Sequence, residues 1–450
     1  MFFSRCYDRS LWLKAFILKV FLIFSLTKSE NISKNFYDYQ FENIKNDIGL
    51  NWDSTSVFNS TNAILKLNNL KKNKIQLKTI HQNSNTKILG DGYFFFKKKY
   101  FLYFSPSINT ELLSSNNKSM LLGSNHKSSI GLHNNWVTLK FERGTEGWGA
   151  GNNLGLTLSH DSEPYDFFSL DSDYGNIRVK YIHGILESRL DINRYITGRA
   201  IEWTNKKSLI VGLSEIIIYS GKEIPIDFSY LNPIANHLEI EFNKRAASSR
   251  MNGSNATWQI SIDSFLKGRI RFSFNFLIDE YVLDKIERKA GKAHGLGYST
   301  SLVYTLFHKK RQILTLFGNS FAIGTHTFRN ANGNNNFVNN NKPTGWKYGS
   351  DGKQFSLGFN YVVKKRMICK IEFSHRSYGE NSIIYKTYEP YLNYNKGPFP
   401  SGQIKKEQMV EILFSYLLKN QTSLFMKTNI YRKKNDLKLG IKRSFSFKNN

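Results

Sequence analysis

Four stretches of this chain alternate apolar and polar residues at every second position, the period of a strand with two unlike faces. In Val137–Glu142, Val137, Leu139 and Phe141 share one face, and Thr138, Lys140 and Glu142 the other. Ile270, Phe272 and Phe274 likewise oppose Arg271, Ser273 and Asn275, and Phe355, Leu357, Phe359 and Tyr361 oppose Ser356, Gly358 and Asn360. Near the end, Leu437, Leu439, Ile441, Phe445 and Phe447 face away from Lys438, Gly440, Lys442, Ser444 and Ser446. Such strands build either a soluble sandwich with the apolar face inward or a membrane barrel with it outward. Two features favour the barrel. Large aromatics sit at many strand ends, as an interfacial girdle requires. Connections also come in two kinds: tight ones at Lys267-Gly268, Lys309-Lys310 and Asn435-Asp436, and long polar ones at Thr325–Ser350 and Tyr378–Glu407. Short turns on one side and long loops on the other are the habit of outer-membrane barrels. The expected fold is therefore all-β, a transmembrane antiparallel outer-membrane barrel of roughly 16–18 strands.

Bulk properties agree. The chain has 450 residues, with 35 Phe and 24 Tyr against 8 Pro, a strand-forming bias. Mean hydropathy is −0.42, because alternate residues of a barrel strand face a polar interior and dilute the average. The net charge of +28 is spread along the chain rather than gathered on one arm, which argues against nucleic acid and fits anionic envelope partners. Cys6 and Cys369 are the only cysteines, so neither a disulfide framework nor a cysteine zinc set is expected. Arg5, Arg9 and Lys14 precede an apolar run, Ala15–Leu26, broken by Lys19, with small Thr27 and Ser29 behind it. This reads as a signal peptide over residues 1–29, cut near Glu30, for export to the outer membrane of a Gram-negative cell. Residues 30–92 read as a periplasmic segment with an amphipathic helix within Asn35–Leu50, and residues 93–450 as the barrel.

Three segments carry a family resemblance. Asn193–Pro233 (NRYITGRAIEWTNKKSLIVGLSEIIIYSGKEIPIDFSYLNP), Phe141–Leu156 (FERGTEGWGAGNNLGL) and Phe276–Asp284 (FLIDEYVLD) follow one another in the expected order. Together they resemble the capsule assembly Wzi family proteins of the outer membrane. Ala150 stands where that family has Pro in its Gly-rich turn. The resemblance implies 18 strands, helical material on the periplasmic side, and a non-enzymatic surface lectin that helps attach or organise capsular polysaccharide.

Candidate site residues follow from charge and ring chemistry. Arg199, Glu202, Glu215 and Asp279 interrupt apolar strands, as do Glu280 and nearby Asp284. A basic group facing lipid at mid-depth costs about 2–4 kcal/mol, so these are expected in the lumen, with Arg199 paired to Glu202 or Glu215. Sugars present one apolar face and a polar rim, which aromatic faces and hydrogen-bonding groups match. Trp148, Phe337 and Trp346 are expected to supply flat faces, and Arg143 and Arg329 positive charge. Tyr385, Tyr388, Tyr391, Tyr394 and Phe399 enrich the second long loop. Deleting Asn330–Asn341 is expected to leave a folded barrel that retains less glycan.

No catalytic residues, metal or cofactor are expected. Ser159-His160-Asp161-Ser162-Glu163 holds the residue types of a hydrolase triad, but neighbours in sequence point apart, whereas triad members converge. The expected partners are an acidic capsular or exopolysaccharide, outer-membrane lipid and lipopolysaccharide, and the barrel assembly machinery during insertion, with the protein a monomer. The rival reading is a porin or transport channel for anionic solutes.

Overall fold

The computed structural model describes residues 39–447, apart from 51, 53–54, 61–72, 83–84, 98, 114–117, 244–250, 310, 365, 419–421 and 432–434. The expected signal peptide lies outside the described residues. Eighteen strands close into one antiparallel barrel. They are β1 (Asn73–Gln82), β2 (Asn85–Phe96), β3 (Tyr100–Leu113), β4 (Lys118–His133), β5 (Val137–Gly144) and β6 (Tyr165–Asp173). Then follow β7 (Ile177–Ile185), β8 (Ile192–Thr204), β9 (Leu209–Lys222), β10 (Met251–Leu266), β11 (Ile270–Glu280) and β12 (Gly295–Lys309). The last six are β13 (Gln312–Ile323), β14 (Gly352–Val363), β15 (Met367–Tyr378), β16 (Lys405–Leu417), β17 (Thr422–Tyr431) and β18 (Asn435–Phe447). Closure comes from β1 against β18, in register from Asn73↔Phe447 to Gln82↔Lys438. The barrel therefore begins at Asn73, not at Tyr93. Ile75 and Leu77 do alternate with polar residues, but the Asn- and Lys-rich surroundings hide so short a signal.

The faces are inverted relative to a soluble protein. Phe141 is 67% exposed on the outside of β5, and its neighbour Glu142 is 3% exposed on the inside. The same holds for outward Phe272 beside inward Arg271, and for outward Phe355 and Leu357 around inward Ser356. In water this arrangement would expose rows of aromatic rings and bury charges. In lipid each face meets its matching medium.

The two ends differ as expected. One end carries connections of two to four residues, at 97–99, 134–136, 174–176, 205–208, 267–269, 310–311, 364–366 and 418–421. Lys267 and Gly268 both have positive φ, 48° and 64°, the left-handed pair of a tight type I′ hairpin. The other end carries the long segments 145–164, 223–250, 281–294, 324–351 and 379–404. Asn435-Asp436, expected in a turn, instead opens β18.

The interior is where the fold departs most from the sequence reading. Helix α1 (Tyr39–Asp47) lies inside the short-turn mouth, with Ile44 and Ile48 packed on inward Ile313, Val362 and Ile368. It therefore enters the barrel rather than remaining outside it. Phe58–Ser60 pairs antiparallel with Glu146–Trp148, and segments 145–164 and 324–351 fold inward to form a plug. Trp148, Leu154, Leu156, Leu158, Phe328, Phe337, Val338 and Trp346 share one buried apolar cluster with wall residues such as Ile196, Ile216 and Phe321. Glycines in the wall make room for it. A Cβ on Gly198 would lie 2.9 Å from the Trp148 ring, and one on Gly212 2.6 Å from Val57. Wall side chains also serve the plug backbone. Asn275 accepts from Ala150 N at 2.7 Å and donates to Ala150 O at 3.0 Å, while Ser299 donates to Leu154 O at 2.8 Å.

Candidate functional site

The wall charges divide by strand parity. Glu202 points inward, as expected, where it accepts from Val57 N and Ser56 Oγ at 2.9 Å each and pairs with Arg178 at 2.9 Å. Asp279 also points inward, and its Oδ2 accepts from Phe328 N at 2.7 Å. Both clamp plug backbone to wall. Arg199 and Glu215 do not face the lumen. Arg199 shares the outer face with exposed Ile201 and Trp203, and Glu215 shares it with exposed Leu213. They pair with each other at 3.1 Å. What removes them from lipid is residues 223–243, after β9, which fold down over the outer wall with helices α2 (Phe228–Leu231) and α3 (His237–Phe242). Under this flap Arg199 donates to Asn232 O and Tyr230 O, Glu215 accepts from Trp258 Nε1 and His237 N, and Tyr230 stacks on Tyr219 at 4.4 Å. Burial holds the His237 imidazole below its usual pKa. Arg199→Leu is expected to free this flap. Protease cleavage within 223–243 should rise sharply, while heat-modifiable migration of the barrel in detergent gels stays unchanged. A flap equally resistant in the variant would remove Arg199 as its anchor.

The expected glycan-facing rings prove to be plug. Trp148, Phe337 and Trp346 are all buried. Trp148 donates to Glu146 Oε2 at 3.0 Å and packs on Phe58, and Trp346 stacks on Phe321 at 5.9 Å. The reason is that their loops fold inward, so their apolar faces meet the core rather than a ligand. Deleting 330–341 would take Phe337 and Val338 out of that core, so it cannot serve as a loop-only test. Arg143 lies on the outer face at the long-loop rim, paired with Asp166 at 2.7 Å and partly exposed. The Ser159–Glu163 run is a turn: Ser159 Oγ accepts from Asp161 N, Ser162 Oγ donates to Ser159 O, and Glu163 pairs with Lys342. The carboxylates near the end of β11 diverge. Asp284 caps the short helix α4 (Lys285–Lys289), whereas Glu280 pairs with Lys292 at 2.7 Å.

One cavity gathers chemistry from separate parts of the chain. The pairing of β10 with β11 ends at Trp258↔Ile278. Beyond it Asn255 and Ala256 register against Ile218 and Ile217 of β9, and Glu280 against Gly295 of β12. The wall opens between them into a cavity of about 310 Å³, lined by Asn255, Trp258, Asp279, Glu280, Arg329 and Tyr394 among others. Arg329 is the sequence-expected cation that reaches it. Its guanidinium lies 4.2 Å over the Tyr391 ring, and Nη1 donates to Asn381 O at 2.9 Å. Nε and Nη2 find no acceptor among the described residues, nor does Asn255 Nδ2. A buried donor left so costs about 1–3 kcal/mol. Burial lowers the pKa of Arg329 and of nearby His326 from their usual values. Asn255, Trp258 and Tyr394 were not singled out together from sequence, because no local pattern unites a strand end with two distant loops.

No protein-family model matches the chain, and no curated protein matches it. Solved structures do. The fold is similar to that of Wzi, described as an outer membrane protein involved in group 1 capsule assembly in Escherichia coli and a carbohydrate binding beta-barrel. The TM-score is 0.63 at 11% identity, over 85% of this chain and 87% of that one. This is the fold of an outer-membrane barrel. OccAB3 of Acinetobacter baumannii (TM-score 0.47) and OccK10 of Pseudomonas aeruginosa (0.46) also align, each at 9% identity over 84% of this chain and 99% of that one.

Proposed function

We propose that this protein is a non-enzymatic, Wzi-like outer-membrane barrel that holds acidic surface polysaccharide and assists its attachment and assembly at the cell surface. The observation that supports this reading best is the filled interior. Loops from the long-loop end pack as a hydrophobic core against the wall, where a diffusion pore needs open water, and a polar cavity with aromatic borders lies at that same end. Lipopolysaccharide around the rim and the barrel assembly machinery during insertion are the further partners proposed. The closed wall leaves no edge strand that would demand a second copy.

The test combines location with binding. The mature chain should fractionate with the outer membrane and migrate faster unheated than boiled. The purified protein should retain an acidic polysaccharide far better than its short oligosaccharides, since repeated weak contacts add through avidity. Equal retention of acidic and neutral polymers would overturn the reading. A second reading, a channel for anionic solutes, draws on the inner face of β18, where inward Lys438 and Lys442 are only half-buried. Stable anion-selective conductance in planar bilayers, with no polymer retained, would favour it.

A further inference from the structure

We infer that the opening between β10 and β11 takes one carboxylate-bearing sugar residue, a uronate unit of an acidic polymer, with Arg329 and Asn255 gripping the carboxylate. The inference rests on the polysaccharide reading above and names the chemistry of its binding site.

Arg329 is 3% and Asn255 7% exposed, and both line the cavity with donors that have no acceptor among the described residues. The free edge of Arg329 is the one formed by Nε and Nη2. Elsewhere in this protein the same edge grips a carboxylate: Arg271 donates from Nε and Nη2 to the two oxygens of Asp263, at 3.0 and 2.6 Å. A guanidinium edge and a carboxylate match as two parallel hydrogen bonds. Arg329 cannot swing freely to find another partner, because Nη1 is fixed on Asn381 O and its plane is held over Tyr391. Asn255 Nδ2, from the end of β10, adds a neutral donor to the same cavity.

The remaining lining suits the rest of a sugar. Asp279 and Glu280 supply acceptor oxygens for ring hydroxyls, and Trp258 and Tyr394 offer rings for the apolar face of the pyranose. Lys292 also lines the cavity but is paired with Glu280 at 2.7 Å, so Arg329 is the cation left to meet a ligand, and its one charge matches a carboxylate better than a phosphate dianion. The volume, about 310 Å³, falls at the small end of ligand pockets and suits one monosaccharide better than a chain. The polymer would then run over the long-loop end while a single acidic unit dips into the wall.

The experiment uses the full mature chain in detergent micelles, titrated by calorimetry with methyl glucuronide and a tetragalacturonate. Methyl glucoside, inorganic phosphate and lipopolysaccharide are titrated in parallel. Wild type should bind the uronates at least tenfold more tightly than methyl glucoside. Arg329→Gln and the near-isosteric Asn255→Asp should each lower uronate affinity at least tenfold, and Arg329→Lys, which keeps the charge but loses the fork, should fall between. Heat-modifiable migration certifies each barrel, and Asn255→Asp decides the matter should Arg329→Gln fail to fold. Equal affinity for uronate and glucoside, or unchanged uronate affinity in the variants, overturns the inference. So does Arg329-dependent binding of phosphate or lipopolysaccharide that exceeds uronate binding. If wild type retains acidic polymer while the variants bind uronate normally, this site is wrong and the proposed function stands. If neither polymer nor uronate binds wild type, both fail.

Discussion

Arg194→Ala is expected to release segment 324–351 from the barrel interior while the wall stays closed. Arg194 projects inward from β8 and is fully buried. Its Nε donates to Asn334 O, its Nη2 to Asn336 O at 2.9 Å and to Val338 O at 3.0 Å, and its Nη1 to Glu187 at 2.8 Å. The Tyr388 ring lies 5.2 Å away, and the Tyr388 hydroxyl donates to the same Glu187. One side chain thus gathers three plug carbonyls, a carboxylate and a ring from a second loop. Alanine would leave those three carbonyls without their Arg194 donor and strip Glu187 of its cation, although the Tyr388 hydroxyl still donates to it. At about 1–3 kcal/mol for each unsatisfied group, the loss to plug docking is on the order of 5 kcal/mol. Hydrogen exchange measures it directly: amides of 324–351 should lose at least a thousandfold of their protection, and amides of the wall strands little. Lysine should rescue only part, because an ammonium on a shorter reach cannot present the same planar set of donors. Unchanged exchange in the alanine variant would show that the apolar cluster alone seats the plug.

How much of this was legible in the sequence differs by level. The wall was, because strand parity is local. Val137 to Phe141, Ile270 to Phe274 and Phe355 to Tyr361 each put their apolar face where the lipid lies. Counting by twos from Ile201 and Trp203 also sets Arg199 on the outer face and Glu202 on the inner one. Lipid cost argued for the lumen instead, but the flap over Arg199 and Glu215 satisfies the same cost from outside. The plug was not legible. Trp148 among glycines and Phe337 among asparagines look like exposed loop tips, and only packing between distant segments makes them core. Indirect signs existed in the wall itself. Gly198 and Gly212 interrupt strands where close approach is needed, and inward Asn275 and Ser299 require partners that a strand alone does not supply. The cavity lay beyond reach for a stronger reason: Asn255, Asp279, Arg329 and Tyr394 come from four separate elements, joined only where two neighbouring strands part.

The second large effect is expected at the other mouth of the barrel, where Arg271 holds helix α1. Arg271 projects inward from β11, grips Asp263 with two hydrogen bonds, and reaches Asp47 of α1 at 3.0 Å. Asp47 also accepts from Asn152 at 2.7 Å, which ties the helix to the plug. One guanidinium therefore faces two buried carboxylates and neutralises only one. Burial accordingly raises Asp47 from 3.8 to about 6, against the pull of Arg271. Between about pH 4 and 6 the docked helix keeps a proton that a released helix has already lost, so docking weakens as pH rises through this window. The loss approaches 3 kcal/mol at neutral pH, on the order of two pKa units at 1.36 kcal/mol each. Exchange at amides 43–50 should be slower at pH 5 than at pH 7.5 once intrinsic rates are corrected. Asp47→Asn, which keeps the oxygen facing Arg271 and Asn152, should erase the difference and hold the helix at both pH values. Arg271→Met removes the shared cation and strands Asp263 and Asp47 together, a change worth about 3–5 kcal/mol for a broken buried pair. Pairing it with Asp263→Asn should recover much of that loss, because the double variant leaves one carboxylate that can take up a proton. If Arg271→Met unfolds no more easily than the double variant, the stranded charges are not what holds this mouth closed, and the packing of Ile44 and Ile48 on Ile313, Val362 and Ile368 carries the helix by itself.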